Sequence, residues 1–137
     1  MIPFNKELEH VNKYVNLEKL RFGDKINVTF DIQASDFLIP SLSLQMIVEN
    51  AIKHGITKKY EGGTVAISSY EMDNKYFIVV NYDGVGFDVT KVIGDNHLGF
   101  KNSRERLRHF VNGDLIIESE INKGTKVTVI IPKTKGE

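Results

Sequence analysis

Amide, acidic and basic side chains stand next to glycine in three short segments of the sequence. The first segment is Glu49-Asn50-Ala51-Ile52-Lys53-His54-Gly55. In a helix, Asn50, Lys53 and His54 would stand at i, i+3 and i+4 and share one face. An amide oxygen suits magnesium, and a nearby lysine offers a point charge to a phosphate. The alternative is a solvated helix face on which Glu49 and Lys53 form an ion pair.

The second segment is Asp83-Gly84-Val85-Gly86-Phe87-Asp88, directly after a predicted strand. A carboxylate at a strand end can accept a hydrogen bond from an exocyclic amine such as that of adenine, and glycines let the backbone approach a flat ring. The alternative is a plain turn, because Asp-Gly is a common turn dipeptide. No Gly-x-Gly-x-x-Gly pattern follows the strand, so a Rossmann dinucleotide site is not predicted.

The third segment runs from Gly94 to Arg104 and leads from a flexible loop into a predicted helix. A helix N-terminus attracts anions, and Lys101 and Arg104 add positive charge to it. The alternative is a surface loop followed by a basic helix whose charge is partly balanced by Glu105. Each of the three segments is a weak signal when taken alone.

The N-terminal stretch 5–22 is charged and spaces Leu8, Val11 and Val15 by three and four residues, which predicts a helix. Its narrow apolar stripe suits packing against one partner helix better than burial in a core. A stripe this short seldom dimerises strongly, so we expect this chain alone to be a monomer or a weak dimer.

The spacing of hydrophobic residues along the sequence predicts the helices and strands that position the three segments. Helices are expected at 41–54 and 99–110, and strands at 25–32, 64–71, 75–82, 115–121 and 125–131. A long irregular segment lies between 83 and 99, and such segments inside compact domains are usually functional or mobile. The sum is an α+β fold with mostly antiparallel strands and helices on one face.

Composition restricts the classes of function. The 137 residues carry 18 Lys+Arg against 18 Asp+Glu, and this neutrality argues against binding nucleic acid through bulk charge. The absence of cysteine excludes thiolate metal sites and thiol chemistry. No apolar run approaches the roughly 20 residues of a membrane-spanning helix, and no signal peptide is predicted. We expect a cytoplasmic chain without membrane contact of its own, which is compatible with excision from a longer membrane protein.

The order of the segments is more specific than the segments themselves. The chain contains, in succession, a helix with Glu-Asn-Ala-Ile-Lys-His-Gly, a hairpin, Asp-Gly-Val-Gly, a loop, Gly-Phe-Lys-Asn-Ser-Arg-Glu-Arg-Leu and a terminal Gly-Thr-Lys-Val-Thr-Val-Ile-Ile-Pro. This succession resembles the ATP-binding catalytic domain of bacterial sensor histidine kinases, in the GHKL/Bergerat ATPase superfamily. The stretch from Glu7 to Asp24 also resembles the linker that precedes this domain in the LytS/YehU-type subfamily.

The resemblance implies a boundary and an architecture. Residues 1–23 would be a helical linker at the end of the dimerisation and phosphoacceptor region, and residues 24–137 the ATP-binding catalytic domain. The implied fold is a two-layer α/β sandwich in which a mixed, mostly antiparallel sheet is backed by three helices.

The resemblance also implies ATP and Mg²⁺ as ligands and gives roles to the first segment. Asn50 matches the asparagine that holds magnesium between the ATP phosphates. Lys53 and His54 match basic residues near those phosphates, and Glu49 belongs to the same catalytic segment.

The other two segments match the nucleotide pocket of the same family. Asp83 matches the aspartate that recognises the adenine amine, and Gly84 and Gly86 shape the base pocket. The remaining implied contacts belong to the second glycine box with the helix behind the lid and to the last glycine box: Gly99, Phe100, Lys101, Asn102, Gly124 and Thr125.

Two departures from the family pattern bear on catalysis. The second glycine box usually reads Gly-x-Gly-Leu, whereas this chain has His97-Leu98-Gly99-Phe100. His97 is either a replacement contact or a solvated loop histidine. Related ATPases carry a water-polarising glutamate one turn before the magnesium asparagine, where this chain has Met46. Glu49 points about 100° around the helix from Asn50 instead, an arrangement that favours slow hydrolysis with preserved phosphoryl transfer.

The family's phosphoacceptor histidine stands in a Pro-His-Phe-Leu-Phe-Asn type of context, and His10, on the N-terminal helix, lacks it. The resemblance therefore implies a catalytic fragment that presents Mg-ATP to a histidine on a separate phosphoacceptor domain of a homodimeric, membrane-anchored receptor. A response regulator would then receive the phosphate. Two alternatives stay open: a regulatory or dimerisation module of the same fold with weak or no catalysis, and an anti-sigma-type serine kinase.

Overall fold

The computed structural model describes residues 1–55, 62–83, 98–120 and 124–133, and the expected α+β fold is confirmed there. Within these ranges the helices are α1 (Phe4–Phe22), α2 (Ser43–Asn50) and α3 (Leu98–Val111). The strands are β1 (Ile2–Pro3), β2 (Ile26–Ile32), β3 (Leu38–Ile39), β4 (Gly63–Met72), β5 (Lys75–Tyr82), β6 (Asp114–Glu120) and β7 (Gly124–Pro132).

Five of these strands form one mixed sheet in the order β2-β4-β5-β7-β6. Strand β2 pairs parallel with β4, and the three other pairings are antiparallel. The β4–β5 hairpin turns on Asp73 and Asn74, whose φ values of 54° and 61° fit the type I′ turn that matches strand twist. The predicted mostly antiparallel sheet is therefore present, with β2 as a parallel edge.

The three helices described here cover one face of the sheet, because alternate strand residues are buried beneath them. On β5 these are Tyr76, Ile78, Val80 and Tyr82. The predicted core stripe of α2 is confirmed, since Leu44, Ile47, Val48 and Ala51 are all fully buried. Burial of each of the three larger side chains, Leu44, Ile47 and Val48, contributes about 1.5–3 kcal/mol to folding. None of the helices in the described part of the chain is long and apolar enough to cross a membrane.

Helix α1 packs on α2 and joins the same apolar core. Its buried stripe is longer than the predicted one and consists of Phe4, Glu7, Val11, Val15 and Glu18. The predicted stripe residue Leu8 is half-buried at its edge. The partner helix that the sequence predicted for α1 is thus α2 of the same chain. The division into a linker and a catalytic domain at residue 23 stays a prediction.

The end of α2 differs from the sequence prediction, in which the α-helix continued to His54. The α-helix stops at Asn50, and Ala51–Gly55 form a π-helical turn. The N–H of Ala51 donates to the carbonyls of Ile47 and Val48, four and three residues before it. The α-helical spacing assumed for Asn50, Lys53 and His54 is therefore wrong across this turn.

Two short strands escaped prediction. Strand β1 pairs antiparallel with β3, joining Ile2 to Ile39. Beside them Phe4, Phe37 and Tyr76 form a stack with ring centroids 4.6 and 4.5 Å apart. Two-residue strands are too short to produce a period that a sequence pattern could reveal.

Candidate functional site

Asp83 stands directly after β5, and the sheet holds its carboxylate in place. The backbone N–H of Thr64 donates to Asp83 Oδ1 at 2.6 Å, and the N–H of Asp83 donates to the carbonyl of Thr64 at 3.3 Å. The side chain is exposed. Its second carboxylate oxygen accepts no hydrogen bond from the residues that the structure describes. Asp83 therefore presents a fixed acceptor at the end of the sheet.

Gly124, the first residue of β7, lies against the backbone that leads into Asp83. A Cβ added at Gly124 would stand 2.7 Å from the carbonyl oxygen of Tyr82 and 3.2 Å from Asp83 Cα, and its φ is +91°. Glycine alone satisfies both the close approach and the positive φ without displacement. The structure thus brings the last glycine box next to Asp83.

Thr125 pairs with Tyr82 across the β5–β7 ladder and is buried, with 3% of its surface exposed. Its hydroxyl lies 2.7 Å from Ser119 Oγ, so it is engaged inside the sheet. Burial raises the pKa of Tyr82 to about 12, although a hydrogen bond from the Thr125 side chain acts in the opposite direction. These contacts fix the sheet beneath Gly124 and Asp83.

Asn50 closes α2 and is buried, with 8% of its surface exposed. Its side-chain amide makes no hydrogen bond with any residue in the described ranges. A hard amide oxygen of this kind fits Mg²⁺.

The neighbours of Asn50 are spread around the helix end. Glu49 is half-buried, and its charge contributes to raising the pKa of Tyr14, after burial and the charge of Glu18. Lys53 is exposed in the π-helical turn. His54 lies in the same turn, but its side chain is outside the described part of the structure.

Helix α3 contains most of the second glycine box. Gly99 and Phe100 belong to its first turn, Lys101 is exposed and Asn102 is half-buried. Asn102 lines a groove of about 330 Å³ together with Met46, one α-helical turn before Asn50. The structure therefore brings Asn102 of α3 close to Met46 of α2. Gly84, Gly86 and His97 lie outside the described residues.

The sequence patterns missed the contacts that hold the start of α2. Glu7 is fully buried and accepts hydrogen bonds from the backbone N–H groups of Leu42, Leu44 and Gln45 at 3.1, 3.0 and 3.2 Å. A signal was present, because Glu7 lies on the apolar stripe of α1, where a glutamate requires a partner.

From the other side, α3 donates to carbonyl groups just before and at the start of α2. Ser103 Oγ donates to the carbonyl of Ser43 at 2.9 Å, and the guanidinium of Arg106 donates to the carbonyl of Ser41 at 2.6 Å. The start of α2 is therefore the point at which all three described helices meet.

Sequence comparison places this chain in a known family. The family profile described as "Histidine kinase-, DNA gyrase B-, and HSP90-like ATPase" matches residues 40–135. The YwpD protein of Bacillus subtilis (strain 168) is 38% identical over 136 residues, which cover 93% of this chain and 49% of YwpD. Sensor protein LytS of Bacillus anthracis is 32% identical over 151 residues, covering 100% of this chain and 26% of LytS. This chain thus spans about half the length of one relative and about a quarter of the other.

The catalytic domain of histidine kinase ThkA has the same fold, with a TM-score of 0.72 at 18% identity over 97% of this chain and 96% of that domain. The resemblance to sensor histidine kinases of the LytS type is confirmed by the sequence relatives. ATP is the ligand of such a domain. With its profile match spanning the helices and strands that carry Asn50, Asp83 and Gly124, the chain belongs to the histidine kinase-, DNA gyrase B- and HSP90-like ATPase family.

Proposed function

We propose that this chain is the catalytic domain of a sensor histidine kinase, which binds Mg-ATP and presents the γ-phosphate to a histidine on a separate phosphoacceptor helix. The observation that carries the proposal is the acceptor at the sheet end: Asp83 Oδ1 is fixed by Thr64, and Gly124 packs against the adjacent backbone. An exposed, oriented carboxylate suits the exocyclic amine of adenine as a hydrogen-bond partner.

Each site residue then has a role in holding the nucleotide. Asp83 accepts the hydrogen bond of the adenine amine, with Gly84 and Gly86 against the ring. Asn50, the last residue of α2, offers its amide oxygen to Mg²⁺. The remaining residues form the phosphate side and the floor of the pocket: Glu49, Lys53, His54, Gly99, Phe100, Lys101, Asn102, Gly124 and Thr125.

Phosphoryl transfer demands little covalent chemistry from the protein, so positioning and charge account for most of the catalysis. Magnesium, when bound, neutralises charge on the phosphates. Lys53 adds a compact positive charge from the exposed side of the π-helical turn. Met46 lines the groove beside Asn102 and offers no base to a water molecule. The chain would therefore favour transfer to a histidine over hydrolysis.

The partners and location proposed for the intact protein rest on its relatives. LytS is named a sensor protein, and this chain corresponds to 26% of its length. We propose that further parts of the protein supply the phosphoacceptor histidine and the homodimer contacts, that a response regulator receives the phosphate, and that the domain works on the cytoplasmic side of a membrane-anchored receptor.

The test is a calorimetric titration of the chain with ATP, with and without Mg²⁺. We expect micromolar to submillimolar binding, and a loss of about 100-fold in Asp83→Asn, because one hydrogen bond to a charged group contributes roughly 1.5–3 kcal/mol. Asp73→Asn is the matched control, since Asp73 lies at the opposite end of β5 and asparagine tolerates its φ of 54°. Equal affinities of Asp83→Asn and wild type would exclude this pocket.

Transfer is tested separately by adding a phosphoacceptor fragment of a LytS-type kinase to the wild-type chain and radiolabelled Mg-ATP. A histidine kinase yields an acid-labile, base-stable phosphoryl group on the fragment. An acid-stable product would instead support the serine kinase alternative. Nucleotide binding without any transfer would support the regulatory module.

A further inference from the structure

The N-terminus of α2 has no cap of its own. Leu42 occupies the N-cap position with a φ of 70°, and a leucine side chain offers no acceptor to the first N–H groups of the helix. Those groups have no partner within the helix, so they must be satisfied from elsewhere. The N–H of Ser43 donates to the carbonyl of Pro40 at 3.2 Å, whereas the acceptor for Leu42, Leu44 and Gln45 comes from α1, across 35 to 38 residues of sequence.

Glu7 supplies that acceptor and does so without contact to solvent. Both carboxylate oxygens are used: Oε1 accepts from Leu42, and Oε2 accepts from Leu44 and Gln45. His10 Nδ1 lies 3.5 Å from Oε1 on the side of α1. A negative group at a helix N-terminus is also favoured by the helix dipole. The position of α1 is therefore fixed relative to the first turn of α2.

Helix α2 is short and buried, so its two ends move together. Its eight residues span about 12 Å at the usual rise per residue. Glu7 holds the first turn, and Asn50 is the last residue. In the same first turn, the carbonyl of Ser43 accepts a hydrogen bond from Ser103 Oγ of α3. A displacement of α1 would consequently reach Asn50 through α2 and Lys101 and Asn102 through α3.

We propose that Glu7 is a positioning residue for the magnesium and phosphate half of the ATP site, through which α1 sets the affinity for Mg-ATP. Asp83 is outside this linkage, because it is held by β4 and β7 in the sheet. A shift of α1 should then change magnesium-dependent binding and leave adenine recognition intact. This inference rests on the proposed function and adds a route by which an upstream segment regulates the site.

The test compares Glu7→Gln with Glu9→Gln. Glutamine keeps the size of Glu7 but removes its charge and replaces one acceptor oxygen with a donor. Glu9 is exposed on the same helix, where it pairs with Lys6, and serves as the charge-matched control. We expect the folded Glu7→Gln variant to bind Mg-ATP about tenfold more weakly, within the range of typical coupling between sites. Its affinity for ADP without Mg²⁺ should equal that of wild type.

A loss of affinity shared equally by Mg-ATP and magnesium-free ADP would overturn the proposal, since it would indicate general damage. Unchanged Mg-ATP affinity in folded Glu7→Gln would overturn it too. Either result leaves the ATP site itself intact if Asp83→Asn still loses nucleotide. Absence of nucleotide binding by the wild-type chain would instead refute the proposed function, and the role of Glu7 with it.

A second measurement needs no variant and covers the case in which Glu7→Gln does not fold. Coupling is reciprocal, so Mg-ATP must strengthen the Glu7 cap if the cap strengthens Mg-ATP binding. Hydrogen exchange of the wild-type chain should show slower exchange at the amides of Leu44 and Gln45 on addition of Mg-ATP. The slowing must exceed any uniform change in β6 and β7. Identical changes in all of these amides would overturn the proposal.

Discussion

The two halves of the candidate site are held by different kinds of interaction. On the sheet half, Asp83 and Gly124 are positioned by backbone pairing and by a close approach of two chain segments. On the helix half, Asn50 ends a short helix whose start is held by single side chains, Glu7 and Ser103. Ladder hydrogen bonds are numerous and mutually supporting, whereas a side-chain cap depends on one residue.

This difference suggests that adenine binding and magnesium-dependent binding depend on different parts of the molecule. In the proposed site, base recognition is assigned to the sheet half, which is the harder of the two to displace. The proposed metal and phosphate contacts lie on helices that join one another through a few side chains, and such elements shift more easily. Variants in the two halves should therefore separate adenine binding from magnesium-dependent binding.

The largest effect is expected from Gly124→Ala in the sheet half. The added Cβ would stand 2.7 Å from the carbonyl oxygen of Tyr82 at a φ of +91°, so the β5–β7 pairing must shift. We expect a loss of about 3 kcal/mol in unfolding free energy and a weaker affinity for nucleotide with or without Mg²⁺. Urea denaturation and calorimetric titration measure the two effects.

Gly23→Ala is the control for Gly124→Ala. Gly23 also has a positive φ, of +58°, but an added Cβ there meets nothing within 4 Å. It should cost stability through backbone strain alone and leave nucleotide affinity unchanged. Equal losses of affinity in both variants would contradict the special role of the close approach.

A smaller and more selective effect is expected from Asn50→Ala in the helix half. Because the buried amide makes no hydrogen bond in the described structure, its removal should change the unfolding free energy by less than about 1 kcal/mol. Mg-ATP affinity should fall about tenfold, while the affinity for magnesium-free nucleotide stays the same. Asn16→Ala, on the exposed side of α1, is the control. An equal loss with and without Mg²⁺ would contradict the division between the halves.

The smallest effect concerns alkaline pH and Tyr82 beneath the sheet half. Burial raises the pKa of Tyr82 from 10 to about 12 in the folded chain. Below pH 10 both states keep the proton, and between pH 10 and 12 the unfolded state releases it first, so stability falls as pH rises. Tyr82→Phe should remove this contribution, at most about 1.4 kcal/mol per pH unit. Urea denaturation at pH 9 and pH 11 measures it.

Tyr14 provides the counterpart in the helix half. Burial and the charges of Glu18 and Glu49 raise the pKa of Tyr14 as well. Tyr14→Phe should therefore reduce the alkaline loss of stability with the same sign. An alkaline slope identical to wild type in both variants would refute these assignments.

The sequence predicted the sheet half better than the helix half, for a physical reason. Alternation along β4 and β5 and the Asp73-Asn74 turn are local signals, and the observed strand ends lie within one residue of those predicted. The acceptor for α2 is Glu7, more than 30 residues away along the chain. No local sequence pattern contains that pairing. A glutamate on an apolar stripe indicates only that a hydrogen-bond partner is needed, not which residue supplies it.

The π-helical turn after Asn50 was also beyond local patterns. The residues of Ala51–Gly55 have no composition that distinguishes a π-helical from an α-helical turn, and tertiary packing decides between them. The predicted positions of Lys53 and His54 relative to Asn50 were wrong for that reason. The family of the chain, in contrast, was predicted correctly from the order of the segments along the sequence.

The packing of α1 determines how far this protein can be shortened. A version that began at residue 24 would lose Phe4, Val11 and Val15 from the core. It would also leave the N–H groups of Leu44 and Gln45 without the acceptor that Glu7 supplies. The exposed apolar surface would invite aggregation during purification. The smallest piece suited to crystallisation or screening for nucleotide-site inhibitors therefore has to retain the N-terminal helix from Phe4 onward.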